Sequence, residues 1–400
     1  MPRWRLGSPM PLDPQPADSL HYDYALVGGG LQNALIALAI RHHQPQASIL
    51  LVEQQATLGG NHTWCFHFSD VAPAVMAWLR PLVAHQWPGY EVRFADFTRR
   101  LPLGYGAMTS AQLAEVVTKT VLCGPGAVLL NTEVSQVAAH QVVLADGRTL
   151  HARLVVDARG AQPEAYAGRA GWQKFVGLEV QTVVAHGLVE PILMDAQLPQ
   201  MDGFRFMYVL PLDAHRLLVE DTRFADGADL DVAALRAEVL AYAQHAGWQV
   251  AAVLRQEVGV LPMPWKTSEN QSNHGVLVAG MQGGWFHPAT GYSLAVAARL
   301  AQWLGSVPPD QALGEGLRDL EQSHGRQRHF AHAINWALFH LAAPPQRVGM
   351  MARFFRRPEA IIARFFALDL QLLDIARIVL GPPPRGMRWW PRSLALEVTP

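Results

Sequence analysis

The stretch "RLLVEDTRF", Arg216 to Phe224, is an apolar strand that runs into two adjacent carboxylates, Glu220 and Asp221. Strand period two places Leu218, Glu220, Thr222 and Phe224 on one face and Leu217, Val219, Asp221 and Arg223 on the other. The two acids are therefore candidates for different work. One reading is a solvated strand exit, since acids are mostly exposed. The other is an acid in a dry pocket, where burial favours the neutral carboxyl and leaves it able to donate a proton near neutrality. Asp221 shares its face with Arg223 and can simply pair with it. A second candidate segment is "GWFHPATGYS", Gly284 to Ser293, in which Pro288 and Gly291 fix an irregular loop. His287 within it is a candidate proton donor or acceptor, or a residue that bonds a backbone group. In "NHTWCFH", His62 and His67 have no carboxylate at a spacing that makes a metal set, so no metal site is expected.

A different chemistry is written near the start. "YDYALVGGGLQNALIALAI", Tyr22 to Ile40, reads as a buried strand, a glycine turn and an apolar helix. Gly28 and Gly30 supply two positions of the dinucleotide-binding fingerprint, which bring a pyrophosphate to the unpaired N–H groups of a helix N-terminus. The third position is Asn33. "ASILLVEQ" is a second apolar strand tipped by Glu53, 25 residues after Gly28, near the spacing of an acid that bonds an adenosine ribose. Two later segments favour FAD over NAD. "LHARLVVDARGAQP" is a strand leaving on Asp157 and Gly160, and "HGVLVAGMQGGWFHPATGYSLAVAARLAQWL" is a strand, a glycine-rich bend and a helix. In hydroxylase-type flavoproteins the second of these carries Gly-Asp beside the isoalloxazine; here Gly280 is followed by Met281. Each segment taken singly also fits a plain strand–turn–helix unit of a core.

These elements must be positioned by a chain of 400 residues, half of them hydrophobic and only 16% charged, with formal net charge −1. Such a chain holds two or three domains, and nothing in its charge points to nucleic acid. Two cysteines, Cys65 and Cys123, make no disulfide framework, so a reducing, cytoplasmic setting is expected. Residues 1–21 are Pro-rich and lack the apolar core of a signal peptide. No run of about 18 apolar residues suggests a spanning helix. "MTSAQLAEVV" holds a capping box, Thr109 with Gln112, that opens a helix. "FRFMYVLPL", Asp213-Ala214-His215 and "RLLVEDTRF" have the spacing of a β-hairpin. The fold expected is α/β: a Rossmann-like FAD-binding domain built discontinuously from 22–60, 101–160 and 270–305, a β-sheet substrate domain from 61–100 and 161–269, a helical part over 306–380, and tails at 1–21 and 381–400. In "RVGMMARFFRRPEAIIARFFALDLQLLDIARIVL", Arg347 to Leu380, arginines and phenylalanines recur and Pro358 splits the run into two helices. That composition suits an interfacial helix, or a helical subdomain packed on the core with solvated arginines. "RGMRWWPRSL" beyond it could add an interfacial anchor.

With "VGGGLQNALIA", "NHTWCFH", "VVDARG", "LLVEDTRF" and "FHPATGYSLAVA" in this order, the chain resembles bacterial lycopene β-cyclases over roughly residues 22–380. The resemblance implies an FAD enzyme that closes the acyclic ends of lycopene into β-ionone rings, giving γ-carotene and β-carotene. Reduced FAD, with NAD(P)H as reductant, would serve a reaction with no net redox change. It implies the acid/base role for Glu220, with Asp221 and His287 as further catalytic candidates. It also implies cofactor contacts at Gly28, Gly30, Asn33, Glu53, Asp157, Gly160, Gly280, Met281, Gly291 and Tyr292. Trp64, Phe66 and Phe68 become candidate polyene contacts, or core. A hydrocarbon substrate implies a protein held peripherally on the inner face of the membrane, which serves as substrate reservoir. Rival readings are an FAD-dependent monooxygenase, a polyprenyl or carotenoid reductase, and a non-catalytic carotenoid-binding protein.

Overall fold

A computed structural model describes residues 21–160, 163–266 and 275–380. The expectations for most of the N-terminal tail and for "RGMRWWPRSL" lie outside the described residues.

The apolar runs read from the sequence assemble into a parallel layer. Its strands lie in the order Gly126–Leu129, Ile49–Val52, His21–Val27, Thr149–Asp157 and Val276–Val278, all parallel. Gln141–Leu144 and Val134–Ala138 add an antiparallel extension beside Thr149–Asp157. Strands buried on both faces need near-continuous hydrophobic sequence, which is why "ILLV" and "ALV" show no alternation. Helices Leu31–His43 and Leu294–Ser306 pack on this layer. A Cβ on Gly305 would sit 2.7 Å from the backbone of Ala39, so only glycine permits this approach. Register brings the carboxyl ends level: Val27 lies opposite both Val52 and Asp157, and Asp157 opposite Val278. The turns that follow these strands therefore emerge along one edge, the place where open α/β sheets bind ligands.

The second layer is a seven-stranded sheet in the order Val250–Pro264, Ala170–Thr182, Arg216–Ala225, Phe204–Pro211, Ile192–Asp195, Tyr90–Phe94 and Phe97–Leu101. Phe204–Pro211 and Arg216–Ala225 form the hairpin, with Phe204 opposite Phe224 and Pro211 opposite Leu217. Helix Val232–His245 covers one face through Leu235, Val239 and Ala243. The other face looks toward a cavity. A small sheet of Thr63–His67, Tyr105–Thr109 and His85–Trp87 bridges the layers. Thr109 accepts from the Gln112 N–H at 3.2 Å, but the Gln112 side chain donates to the Pro81 carbonyl and leaves the box half closed.

After the long helix Glu315–His340, the chain forms three short helices where one break was expected: Arg347–Phe355, Glu359–Phe366 and Leu372–Val379. The first break falls at Pro358, which caps the helix that follows. The second falls at Leu368, a non-glycine residue at φ 53°. Its arginines mostly knit protein rather than face outward. Arg347 is fully buried and donates to the carbonyls of Leu338 and Phe224, and Arg364 pairs with Asp374 at 2.7 Å. Arg356 pairs with Asp96 at 2.6 Å. The phenylalanines turn inward as well. The exposed apolar residues of the segment are aliphatic, among them Leu372 at 85%, Leu373 at 69% and Val379 at 59%. Among the described residues no helix is long and apolar enough to cross a membrane.

The glycine turn can be tested directly. Gly28 has φ 94°, and a Cβ there would lie 2.8 Å from the Ala158 carbonyl oxygen. Gly28→Ala is expected to destabilise the fold by about 1–3 kcal/mol or more. An unchanged urea midpoint would show that this turn tolerates a side chain.

Candidate active site

The hairpin strand Arg216–Ala225 carries the two acids to opposite sides of the second sheet. Glu220 faces a cavity of about 720 Å³. Thr222 and Phe224 line the same cavity from the same strand, with Phe206 and Tyr208 from the neighbouring one. Phe354, Phe355, Phe365 and Phe366 close it from the C-terminal helices, and Met281 with Thr290, Gly291, Tyr292 and Ser293 form another wall. The setting is apolar. Burial pushes the Glu220 carboxyl up to about 8, the neighbouring Glu257 carboxylate adds to this, and the Thr222 hydroxyl opposes it. That hydroxyl donates to Glu220 Oε1 at 2.5 Å. No cation is paired with Glu220 among the described ion pairs.

Asp221 is fully buried on the other face. Arg205 Nε donates to both its oxygens at 3.1 Å, and Arg223 Nη2 donates to Oδ2 at 3.0 Å. The pairing with Arg223 follows from strand period; the larger share, from Arg205, needed the hairpin register. The geometry is that of an internal ion pair beneath the sheet.

His287 is also fully buried. Its Nε2 lies 2.9 Å from the Phe365 carbonyl, and its Nδ1 accepts from the Ala289 N–H at 3.1 Å. Those two partners define the Nε2–H tautomer, and burial holds the ring down to about 3. The ring therefore has no proton to give near neutrality. It staples the Gly284–Ser293 loop to helix Glu359–Phe366.

The nucleotide candidates gather at the carboxyl edge of the parallel layer. The Gly29 N–H donates to Glu53 Oε2 at 2.6 Å, and a Cβ on Gly280 would lie 3.6 Å from Gln32 and 3.8 Å from Ala158. Turns from four strands thus converge. Asn33 explains its place in the fingerprint: its Nδ2 donates to the carbonyls of Val27 and Gly28, both at 2.9 Å, tying the turn to its own helix. Asp157 is clasped by Arg159 at 2.8 Å and shapes the exit of its strand. Gly160, at φ 93°, has open space around its α-carbon. The Met281 carbonyl accepts from the Tyr166 hydroxyl at 3.3 Å.

An FAD fits what these residues leave free. Helix Leu31–His43 begins at Gly30 with no side-chain cap, and a Cβ on Gly30 would meet nothing within 4 Å. Helix Leu294–Ser306 also lacks a side-chain cap, and its first residues line the cavity. Uncapped helix starts attract anionic groups. Glu53, although it accepts from Gly29 and Gln55, retains lone pairs for a ribose hydroxyl. Gln32 Oε1 is buried without a partner near the same edge.

Sequence reasoning missed two acids. Asp70 accepts from the His67 N–H at 2.9 Å and from the Tyr292 hydroxyl, while His67 Nε2 lies 3.1 Å from the Tyr90 hydroxyl. The i, i+3 spacing of His67 and Asp70 was visible; its tie to Tyr292 was not. Glu257, on strand Val250–Pro264, carries no motif. Of the aromatic candidates, Trp64 lines the cavity, whereas Phe66 and Phe68 pack in the core of the parallel layer. Among the described residues there is no metal-ligand cluster.

A glycine-turned parallel layer joined to an antiparallel sheet over an apolar cavity defines an FAD-type flavoprotein fold of the monooxygenase and reductase kind. The fold is similar to a geranylgeranyl bacteriochlorophyll reductase-like protein from Thermoplasma acidophilum, with TM-score 0.61 at 12% identity over 90% of this chain and 96% of that one. It is also similar to pqsL, a probable FAD-dependent monooxygenase from Pseudomonas aeruginosa, with TM-score 0.54 at 18% identity over 90% and 99%. Sequence narrows the class. Residues 23–389 match the family described as lycopene cyclase protein, and the chain belongs to that family. It is 43% identical to a lycopene beta-cyclase of Pseudescherichia vulneris over 90% of this chain and 94% of that protein.

The ion pair beneath the sheet yields a separable prediction. Asp221→Asn leaves Arg223 buried beside a neutral partner and Arg205 with Glu238 as its remaining carboxylate, and should cost roughly 3 kcal/mol of stability. Thermal unfolding would show this as a lowered Tm. A Tm equal to wild type, with turnover lost, would instead place Asp221 in the chemistry.

Proposed function

We infer that this chain is a lycopene β-cyclase that closes the acyclic ends of lycopene into β-ionone rings, forming γ-carotene and then β-carotene without net redox change. The carrying observation is Glu220, a carboxyl with no cation partner among the described ion pairs that faces an apolar cavity in a member of this family. Its O–H bond breaks as a C–H bond forms on the terminal alkene of the substrate. The neighbouring alkene attacks the resulting cation and closes the ring. Loss of a ring proton, for which the Glu220 carboxylate left behind is the base at hand, gives the product and restores the acid. The aromatic walls exclude water that would otherwise capture the cation. When bound, FAD in its reduced, anionic form would supply a fixed negative charge able to stabilise a cation, and NAD(P)H is the proposed reductant. Gly30 and the start of helix Leu294–Ser306 would hold its anionic parts and Glu53 its ribose. Asp221 and His287 act through structure, the first under the sheet and the second in the loop that carries Gly291 and Tyr292.

The substrate reservoir is proposed to be a membrane surface on the cytoplasmic side. Support comes from helix Leu372–Val379, whose Leu372, Leu373 and Val379 are exposed while Ile378 and Val379 also line the cavity. An aliphatic surface that adjoins the cavity wall suits transfer of a hydrocarbon out of lipid.

Lycopene in liposomes, with FAD and NADPH under nitrogen in heavy water, should yield an isomer carrying solvent deuterium at each new ring. A product that gains hydrogen from the cofactor would make the protein a reductase, and one that gains oxygen a monooxygenase. No product from a chain that binds no FAD would favour a carotenoid-binding role. Glu220→Gln should keep FAD and lose at least about 10²-fold in turnover. Because the acid form is the active one, wild-type kcat should hold steady at low pH and fall as pH rises through about 8. Leu372→Asp with Leu373→Asp should abolish flotation with liposomes while leaving turnover of detergent-dispersed lycopene near wild type. Unchanged flotation would remove this helix from membrane contact.

A further inference from the structure

Three neighbouring strands place three residues directly opposite one another: Glu220 pairs with Gly177, and Gly177 pairs with Glu257. Strands lie about 4.8 Å apart, so two glutamates separated by one strand would ordinarily stand well apart with a side chain between them. Here the middle residue has none. A Cβ on Gly177 would meet Glu257 Cγ at 3.0 Å, Glu257 Oε1 at 3.3 Å and Glu220 Oε2 at 3.4 Å. The two carboxyl groups thus share the space above a single glycine.

The pair is built asymmetrically. Arg255 Nη1 donates to Glu257 Oε2 at 3.0 Å. Arg255 is itself fixed by Glu179 at 3.1 Å, by Asn61 Oδ1 at 3.1 Å and by Thr63 Oγ1 at 2.8 Å. Among the described residues, Glu220 has only the Thr222 hydroxyl. Resting on the reading of Glu220 as the acid, we propose that Glu257 is a positioning residue for the protonation step. Its carboxylate, clamped by Arg255 across the gap left by Gly177, sets a negative charge beside Glu220 so that Glu220 carries the shared site's proton. Two carboxylates in one site do not both ionise readily, and the arginine decides which one does. Burial pushes Glu257 up as well, but Arg255 and Thr63 oppose it.

Among the other groups around Glu220, Asp221 on the same strand adds a smaller negative charge, but it is turned away into its pairs with Arg205 and Arg223. Tyr208, opposite Glu220 on the next strand, and Tyr105 and Cys65 from the small sheet are pushed up by burial and stay neutral. Burial holds His62 below its ordinary value, and Tyr292 across the cavity is raised by burial. Glu179 lies between Arg255 and Arg216. From the C-terminal helices, Arg353, which donates to the Leu380 carbonyl, and Arg357 line the cavity.

The test is the pH dependence of kcat in the liposome assay. Wild type should lose activity as pH rises through the Glu220 titration. In Glu257→Gln the negative charge is gone, Glu220 loses its proton at lower pH, and the alkaline limb should move down by about one unit, a tenfold loss of kcat on that limb. KM and FAD content should be unchanged. Glu257→Asp, which keeps the charge, should restore most of the shift. Should Glu257→Gln fail to fold, Gly177→Ala, which places a methyl between the carboxyls, is expected to move the limb in the same direction. A limb at its wild-type position in Glu257→Gln, or in Gly177→Ala where that variant stands in, overturns the proposal. No cyclisation by wild type, or an active Glu220→Gln, instead overturns the assignment of Glu220 on which it rests.

Discussion

A carboxylic acid stays protonated near neutral pH only where water is kept from it and no cation is near enough to claim its proton. Everything around Glu220 serves that constraint. The second sheet supplies a pleat on which the acid points into an apolar cavity, and the phenylalanines of the C-terminal helices close the space above it. The arginines nearest in sequence and across the hairpin, Arg223 and Arg205, are held on the opposite face by Asp221. Had this strand slipped by one residue, Glu220 would have left the cavity, and Asp221 and Arg223 would face it instead.

The same sheet also sets the relation between the acid and the parallel layer. Its cavity face is completed by the loop that carries Met281 to Ser293, which follows the parallel strand Val276–Val278, so Glu220 and this loop bound one space. That loop is pinned at both ends of the His287 ring, which makes a flexible-looking segment part of the frame. Buried groups with every polar atom satisfied rigidify what they join. The proposed reaction, which has no net redox change, would therefore sit on a fold similar to those of a reductase-like protein and a probable monooxygenase.

Much of this was readable from the chain. The glycine turn, the strand tipped by Glu53 and the hairpin of Glu220 and Asp221 rest on local rules of period and spacing, and each took its expected form. The break at Pro358 was legible for the same reason; the one at Leu368 was not, because a leucine at positive φ has no sequence signature. The basic, aromatic C-terminal run reads either as an interfacial helix or as a subdomain packed on the core with solvated arginines. The structure turns its phenylalanines toward the cavity, gives Arg347 and Arg356 partners far away along the chain, and leaves Leu372, Leu373 and Val379 exposed.

The sequence by itself determined which residues alternate, which turns need glycine and which strand ends in acids, because those depend on neighbours along the chain. The tertiary structure decided which acid meets water, which meets arginine and which meets another acid. Glu257 lies 37 residues from Glu220 along the chain, and only the pairing of three strands across Gly177 brings their carboxyls together. Register across strands is fixed by the packing of whole faces, so no short stretch of the sequence contains it.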